Sequence, residues 1–229
     1  QVKVANVQGY ANQSVSDHAI AMMYACARGL PQGQKLVKQQ FGKPPVKQII
    51  ELNDKTLGII GLGRIGGTLC QKAQRLFKNV LASDPYISEE RFSSLGASKT
   101  NLNDLLEQSD VISIHCNLSD ETRNLIDGKK IQLMRNNSIL INTARGPVIN
   151  ENDLYAALKS GKLHSVGLDV YADEPPTSRQ ELLLSHPRVI ATGHYAWYST
   201  KSINELQKRA TNNLLNMLKG GIPEDCLNY

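Results

Sequence analysis

The sequence predicts an α/β protein built on a doubly wound parallel sheet, and three observations carry that prediction. Short apolar runs of strand length recur at 55–60, 79–83, 111–115, 138–142, 164–170 and 188–191. Segments with helical spacing of their apolar residues stand between them, at 68–76, 102–108 and 151–160. A glycine-rich turn, Gly61-Leu62-Gly63-Arg64-Ile65-Gly66, joins the first strand to the first of these helices. Parallel strands need crossover connections, which are right-handed and place helices on both faces of the sheet. With 229 residues, there is room for one large domain, or for one domain with pieces of a second.

In chain order, Ser14-Val15-Ser16-Asp17 reads as a capping box, with Ser14 as N-cap and Asp17 at the third helical position. The helix it opens, 18–28, is apolar on nearly every face. Such a helix is expected to be buried all round, against another domain or another subunit. The polar stretch 31–48 is expected at the surface. Residues 201–219 form a last amphipathic helix, stopped by Gly220, Gly221 and Pro223.

The glycine turn has the context that a dinucleotide site requires: strand, turn, helix, second strand, and an acid, Asp84, at that strand's tip. Gly61 permits the tight turn, Gly63 lets backbone approach a pyrophosphate, and Gly66 lets helix and strand pack closely. The N–H groups around Arg64 and Ile65 can hold phosphate oxygens at the positive end of the helix. Asp84 can accept hydrogen bonds from ribose hydroxyls and would repel a 2′-phosphate, which favours NAD over NADP.

Other chemistries find little support. The net charge of +5 is spread over separated lysines such as Lys35, Lys38, Lys47, Lys129 and Lys130. Without interleaved aromatics this argues against nucleic-acid binding. Cys26, Cys70, Cys116 and Cys226 have no metal-binding spacing and read as reduced, buried thiols of a cytoplasmic protein. No metal site is expected. No segment has the length and apolarity of a membrane span, and no signal-peptide pattern is present.

Ligands of open α/β sheets bind at the carboxyl ends of the strands, and three polar groups follow such ends. Arg145 lies past 138–142, Glu174 past 164–170, and His194 past 188–191. Taken singly, each reads as easily as a surface ion-pair partner, a turn residue or a structural histidine. Together they suit hydride transfer to a 2-oxo acid. An arginine can pair with the substrate carboxylate and polarise the carbonyl. A histidine can donate a proton, and a glutamate on its other nitrogen can fix the tautomer. His18, His115, His164 and His186 read as structural or exposed.

The chain resembles the NAD-dependent D-2-hydroxyacid dehydrogenases over essentially its whole length. The resemblance rests on Gly61 to Gly66, Asn142-Thr143-Ala144-Arg145-Gly146, Gly167-Leu168-Asp169-Val170-Tyr171 with Glu174-Pro175, and His194-Tyr195-Ala196-Trp197. It implies a Rossmann NAD-binding domain over 13–193. Residues 1–12 would be the remnant of a substrate domain and its hinge, and 194–229 a segment returning to that domain. It implies Arg145, Glu174 and His194 as the catalytic set, and Asp169 at the nicotinamide carboxamide. The segment from Cys116 and Asn117 to Thr122 would border the adenosine, and Thr143, Ala144 and Arg145 the nicotinamide ribose. Trp197 would wall the substrate pocket. Within the family, His194 to Ser199 and 221–228 look most like the C-terminal-binding-protein branch, so an NADH-sensing scaffold or corepressor is the alternative to an enzyme. Family members carry a further N-terminal stretch that builds most of the substrate domain, and the chain is expected to lack it. A homodimer is expected, through the apolar helix.

Overall fold

The structure, a computed structural model, describes residues 2–39, 41–43 and 48–228. Gln1, Lys47 and parts of the 31–48 stretch lie outside the described residues. Among the described residues seven strands form one parallel sheet: β1 (Thr56–Ile60), β2 (Asn79–Ser83), β3 (Ser98–Lys99), β4 (Val111–Ile114), β5 (Ser138–Asn142), β6 (Leu163–Leu168) and β7 (Val189–Ala191). Their order is β3-β2-β1-β4-β5-β6-β7. The chain therefore winds outward one way from β1 and then crosses back to wind the other way from β4.

Helices cover both faces. On one lie α1 (Asn12–Arg28), followed by the short α2 (Leu30–Leu36), then α3 (Arg64–Ala73) and α4 (Glu89–Leu95). On the other lie α5 (Leu102–Gln108), α6 (Gly128–Leu133), α7 (Glu151–Ser160) and the single-turn α8 (Glu181–Leu184). Alternation along β5 feeds both cores: Ile139 and Ile141 pack with Met22, Leu69 and Phe92, while Leu140 packs with Leu105, Leu154 and Leu158. Being buried on both faces is why these strands read as unbroken apolar runs.

Two expectations for α1 are corrected. The helix starts at Asn12 with Ala11 as its N-cap and no side-chain cap. Ser14 Oγ instead meets Ser199 Oγ at 2.8 Å, and Asp17 pairs with Lys72 Nζ at 2.6 Å. Nor does α1 wait for a second domain or subunit. Val15, Ala19, Met22, Met23 and Cys26 are buried against the chain's own sheet, leaving a stripe of Asp17, Ala21, Tyr24 and Arg28 exposed. Gly167 in β6 makes this close approach possible, since a Cβ there would sit 3.1 Å from Met22 Cβ.

The last helix, α9 (Thr200–Leu218), is opened by a capping box between Ser199 and Ser202. It gathers the two ends of the chain. Arg209 donates to the Gln8 carbonyl at 2.7 Å and pairs with Asp225 at 2.5 Å, and Asn213 Nδ2 donates to the Asn6 carbonyl at 3.1 Å. Ala5 bridges Cys226 in antiparallel fashion. Cys26 and Cys70 are buried as expected, whereas Cys116 and Cys226 are part-exposed. Among the described residues no helix is long and apolar enough to cross a membrane.

Candidate active site

The parallel registers align one row of residues across the sheet: Ser83, Ile60, Ile114, Asn142, Leu168 and Ala191 are consecutive cross-strand partners. The next residues along each strand are therefore delivered to one edge. They are Asp84, Gly61, His115, Thr143, Asp169 and Thr192. Between β1 and β4, where the winding reverses, that edge opens into a groove of about 1330 Å³. This is where open α/β sheets bind ligands.

Gly61, Gly63, Arg64 and Ile65 line the groove, as do Asp84, Cys116, Asn117 and Thr122. Gly61 has φ +90°, and a Cβ on it would lie 2.6 Å from the Cys116 nitrogen. Gly66 does not line the groove. A Cβ there would stand 2.0 Å from the Gly61 carbonyl oxygen, so this glycine seats α3 against the turn. Gly63 is the opposite case, for a Cβ on it would meet nothing within 4 Å. Asp84 braces the turn: Oδ2 accepts from Leu62 N–H at 2.8 Å and Oδ1 from Tyr86 N–H at 3.0 Å. Across the groove mouth, Tyr86 Oη donates to Glu121 Oε2 at 2.5 Å, which holds the phenol proton and raises its pKa. Burial pushes the Cys116 thiol up to about 11 and the His115 imidazole down to about 4, so both present neutral groups at pH 7.

A dinucleotide fits this edge. The uncapped N-terminus of α3 begins at the open face of Gly63. Further along the row, Thr143 Oγ1 is buried and has no hydrogen-bond partner among the described residues, a state that costs free energy unless a ligand supplies one.

The remaining polar groups stand beyond the groove, past the ends of β5, β6 and β7. Arg145 is exposed, and its Nη1 donates to the neighbouring Ala144 carbonyl at 2.6 Å. Asn142 shapes that turn by accepting from Ala144 N–H and donating to the Arg145 carbonyl. Gly146 must be a glycine, because a Cβ would fall 1.8 Å from the Tyr171 carbonyl carbon. Glu174 and His194 are brought together: His194 Nδ1 lies 2.5 Å from Glu174 Oε2, while Oε1 accepts from Tyr171 N–H at 3.0 Å. With Nδ1 so engaged, Nε2 is left to face a ligand. His194 sits at φ +55°, a left-handed conformation uncommon outside glycine. Its carbonyl accepts from the Trp197 indole N–H at 2.9 Å, and Trp197 packs edge-on against Tyr10.

Asp169 is almost fully buried, and internal donors take up its oxygens. Oδ1 accepts from Thr192 Oγ1 at 2.5 Å and Tyr195 N–H at 3.1 Å, and Oδ2 accepts from Ala196 N–H at 2.9 Å. Sequence reading missed the helpers around it. His18 Nε2 lies 3.0 Å from Thr192 Oγ1, and Tyr171 Oη donates to the Thr192 carbonyl at 2.7 Å. Burial and the Asp169 charge push the Tyr171 phenol up to about 12, so it stays a donor. No local pattern announces these contacts, because His18 is 174 residues from Thr192 in sequence.

Fold and site together define a dinucleotide-binding α/β unit with a polar cluster at its far end. The chain belongs to the D-isomer specific 2-hydroxyacid dehydrogenase family, whose NAD binding domain matches residues 20–196. A D-3-phosphoglycerate dehydrogenase of Archaeoglobus fulgidus is 38% identical over 96% of this chain and 41% of its own length. One from Methanocaldococcus jannaschii is 36% identical over 98% and 43%. The chain thus spans less than half the length of these relatives. Among solved structures, a D-lactate dehydrogenase from Aquifex aeolicus complexed with NAD and lactic acid superposes with TM-score 0.87 at 31% identity, covering 96% of this chain and 70% of that one.

Proposed function

We propose that the chain is the coenzyme-binding portion of an NAD-dependent oxidoreductase that interconverts a small 2-oxo acid and its D-2-hydroxy acid. The observation that carries this reading is the shared edge: one register row delivers Asp84 at one end and Thr192 at the other, two residues before His194, which meets Glu174. Asp84, the face of Gly63 and the start of α3 hold adenosine and pyrophosphate, and Thr143 and Asp169 border the nicotinamide end. Bound NADH supplies the hydride. Arg145 pairs its exposed guanidinium with the substrate carboxylate and polarises the carbonyl oxygen. His194 gives that oxygen its proton from Nε2, a role worth roughly 10²–10⁴ in rate, and recovers a proton from water. Glu174, bonded to Nδ1, fixes the ring's tautomer and orientation.

Trp197 stands beside His194 as part of the substrate wall. Residues 1–12 and 194–229, gathered by α9, belong with a substrate domain, and 13–193 with the coenzyme. We place the protein in the cytoplasm as a homodimer. The apolar face of α1 no longer supports that assembly, but Leu30, Val37 and Phe41 stand exposed in the stretch of chain that follows it. The matched relatives are dehydrogenases, which does not favour the scaffold alternative. The test is NADH oxidation by the full-length protein against pyruvate, hydroxypyruvate, glyoxylate and a phosphorylated 2-oxo acid. Turnover of at least one, giving the D-product, supports the reading; turnover of none would count against it.

A further inference from the structure

We infer that His18 and Thr192 are positioning residues for His194, acting through the buried Asp169 carboxylate. The inference rests on His194 being the proton donor, but its structural half can be tested without that. The segment 192–196 wraps around Asp169, which takes the Thr192 hydroxyl and the N–H groups of Tyr195 and Ala196. His194 lies between these anchors, at φ +55°. Left-handed backbone at a non-glycine residue persists only where surrounding contacts over-determine it, and here they stand on both sides of the strained residue.

The proton inventory gives this chain a direction. A hydroxyl has one proton to donate, and Thr192 gives it to Asp169, which as a carboxylate can only accept. Thr192 Oγ1 must then accept from His18, so His18 carries its proton on Nε2, 3.0 Å away. The His18 ring also lies edge-on against Tyr195, with centroids 5.3 Å apart and planes at 82°. One residue of α1 thus holds the 192–196 segment twice, before and after His194. His18 does not itself line the groove; its Nε2 also lies 3.7 Å from Asp169 Oδ1, so it acts through that carboxylate and the segment wrapped around it.

The test uses three variants. His18→Phe keeps a ring against Tyr195 but removes the N–H. Thr192→Val removes the hydroxyl, and Thr192→Ser restores it. In the full-length protein, His18→Phe and Thr192→Val should each lower kcat at least about tenfold, because small misplacement of a reacting group is costly. KM for NADH should stay within about twofold, and Thr192→Ser should recover most of the rate. In parallel, the ring signals of His194 are followed by NMR in the unliganded protein. They should shift in His18→Phe and Thr192→Val, and return in Thr192→Ser. Unmoved His194 signals in the first two variants, or kcat unchanged while thermal stability falls, would overturn the inference. If the unaltered protein reduces no 2-oxo acid, the proposed reaction fails, and the NMR arm still decides whether the cradle holds His194.

Discussion

In Gly66→Ala the added methyl carbon would lie 2.0 Å from the Gly61 carbonyl oxygen, and in Gly63→Ala it would lie in open space. A backbone oxygen cannot rotate out of the way as a side chain can. Alanine at 66 therefore forces α3 away from the turn, an overpacking that costs about 1–3 kcal/mol. It also displaces the α3 N-terminus from the phosphates, so NADH affinity should fall by about tenfold or more. Alanine at 63 meets no clash, because a Cβ there has nothing within 4 Å. Its stability should stay within about 0.5 kcal/mol of the parent. The new methyl occupies the volume through which the pyrophosphate approaches, so NADH affinity should again drop about tenfold or more. Urea unfolding and calorimetric titration with NADH, run on both variants, separate the effects. Unaltered NADH affinity in Gly63→Ala, or a Gly66→Ala protein as stable as its parent, would refute this assignment of the two glycines.

Asp84→Ser should narrow a preference for NADH over NADPH of at least about tenfold, because a carboxylate near a 2′-phosphate is repulsive by about 4 kcal/mol before screening. It should also weaken NADH binding, since the Leu62 and Tyr86 N–H groups lose their acceptors; competitive titration of both cofactors checks this. His194→Ala and Arg145→Ala should each depress kcat of the full-length protein by about 10²-fold or more with NADH affinity nearly intact. Glu174→Gln should act more mildly, because the amide oxygen can still accept from Nδ1. Acid should destabilise the fold through His115: an unfolded histidine titrates near 6.5 and this one near about 4. The unfolded chain therefore binds the proton first, so the contribution is complete above about pH 6.5 and is lost as pH falls towards about 4. At pH 5 the loss is at most about 2 kcal/mol. His115→Gln should flatten urea-measured stability between pH 7 and 5 by up to that amount.

Much of this was legible in sequence because the signals were local. Strands buried on both faces write themselves as apolar runs, and β2 and β5 fall where the pattern places them. The α5 and α7 helices do so too, over 102–108 and 151–160, and the structure adds Asn101 and Asn150 as their caps. Gly66 and Gly67 hide the first turn of α3 from apolar periodicity, yet the glycine turn places the helix start around Arg64 and Ile65, and α3 begins at Arg64. The pieces α2, β3, α6 and α8 are two to seven residues long, too short for periodicity to register. For α1 the pattern showed that the helix must be covered but not by what, and its own sheet covers it. Arg145, Glu174 and His194 sit in recognisable segments just past strand ends. The cradle of His18 and Thr192 has no such signature, because it exists only once β6, β7 and α1 are packed.

In the proposed site one cofactor lies along the whole row, with adenosine at Asp84 and nicotinamide beside His194. Trp197 is the single tryptophan, and its indole N–H donates to the His194 carbonyl, so its one indole cross-peak in a ¹⁵N–¹H spectrum reports that end of the edge. Saturating the chain with NADH should shift this cross-peak, whereas AMP should perturb amides around Leu62, Asp84 and Tyr86 and leave the indole in place. An indole signal unmoved by NADH at saturation, or moved equally by AMP, would contradict that placement.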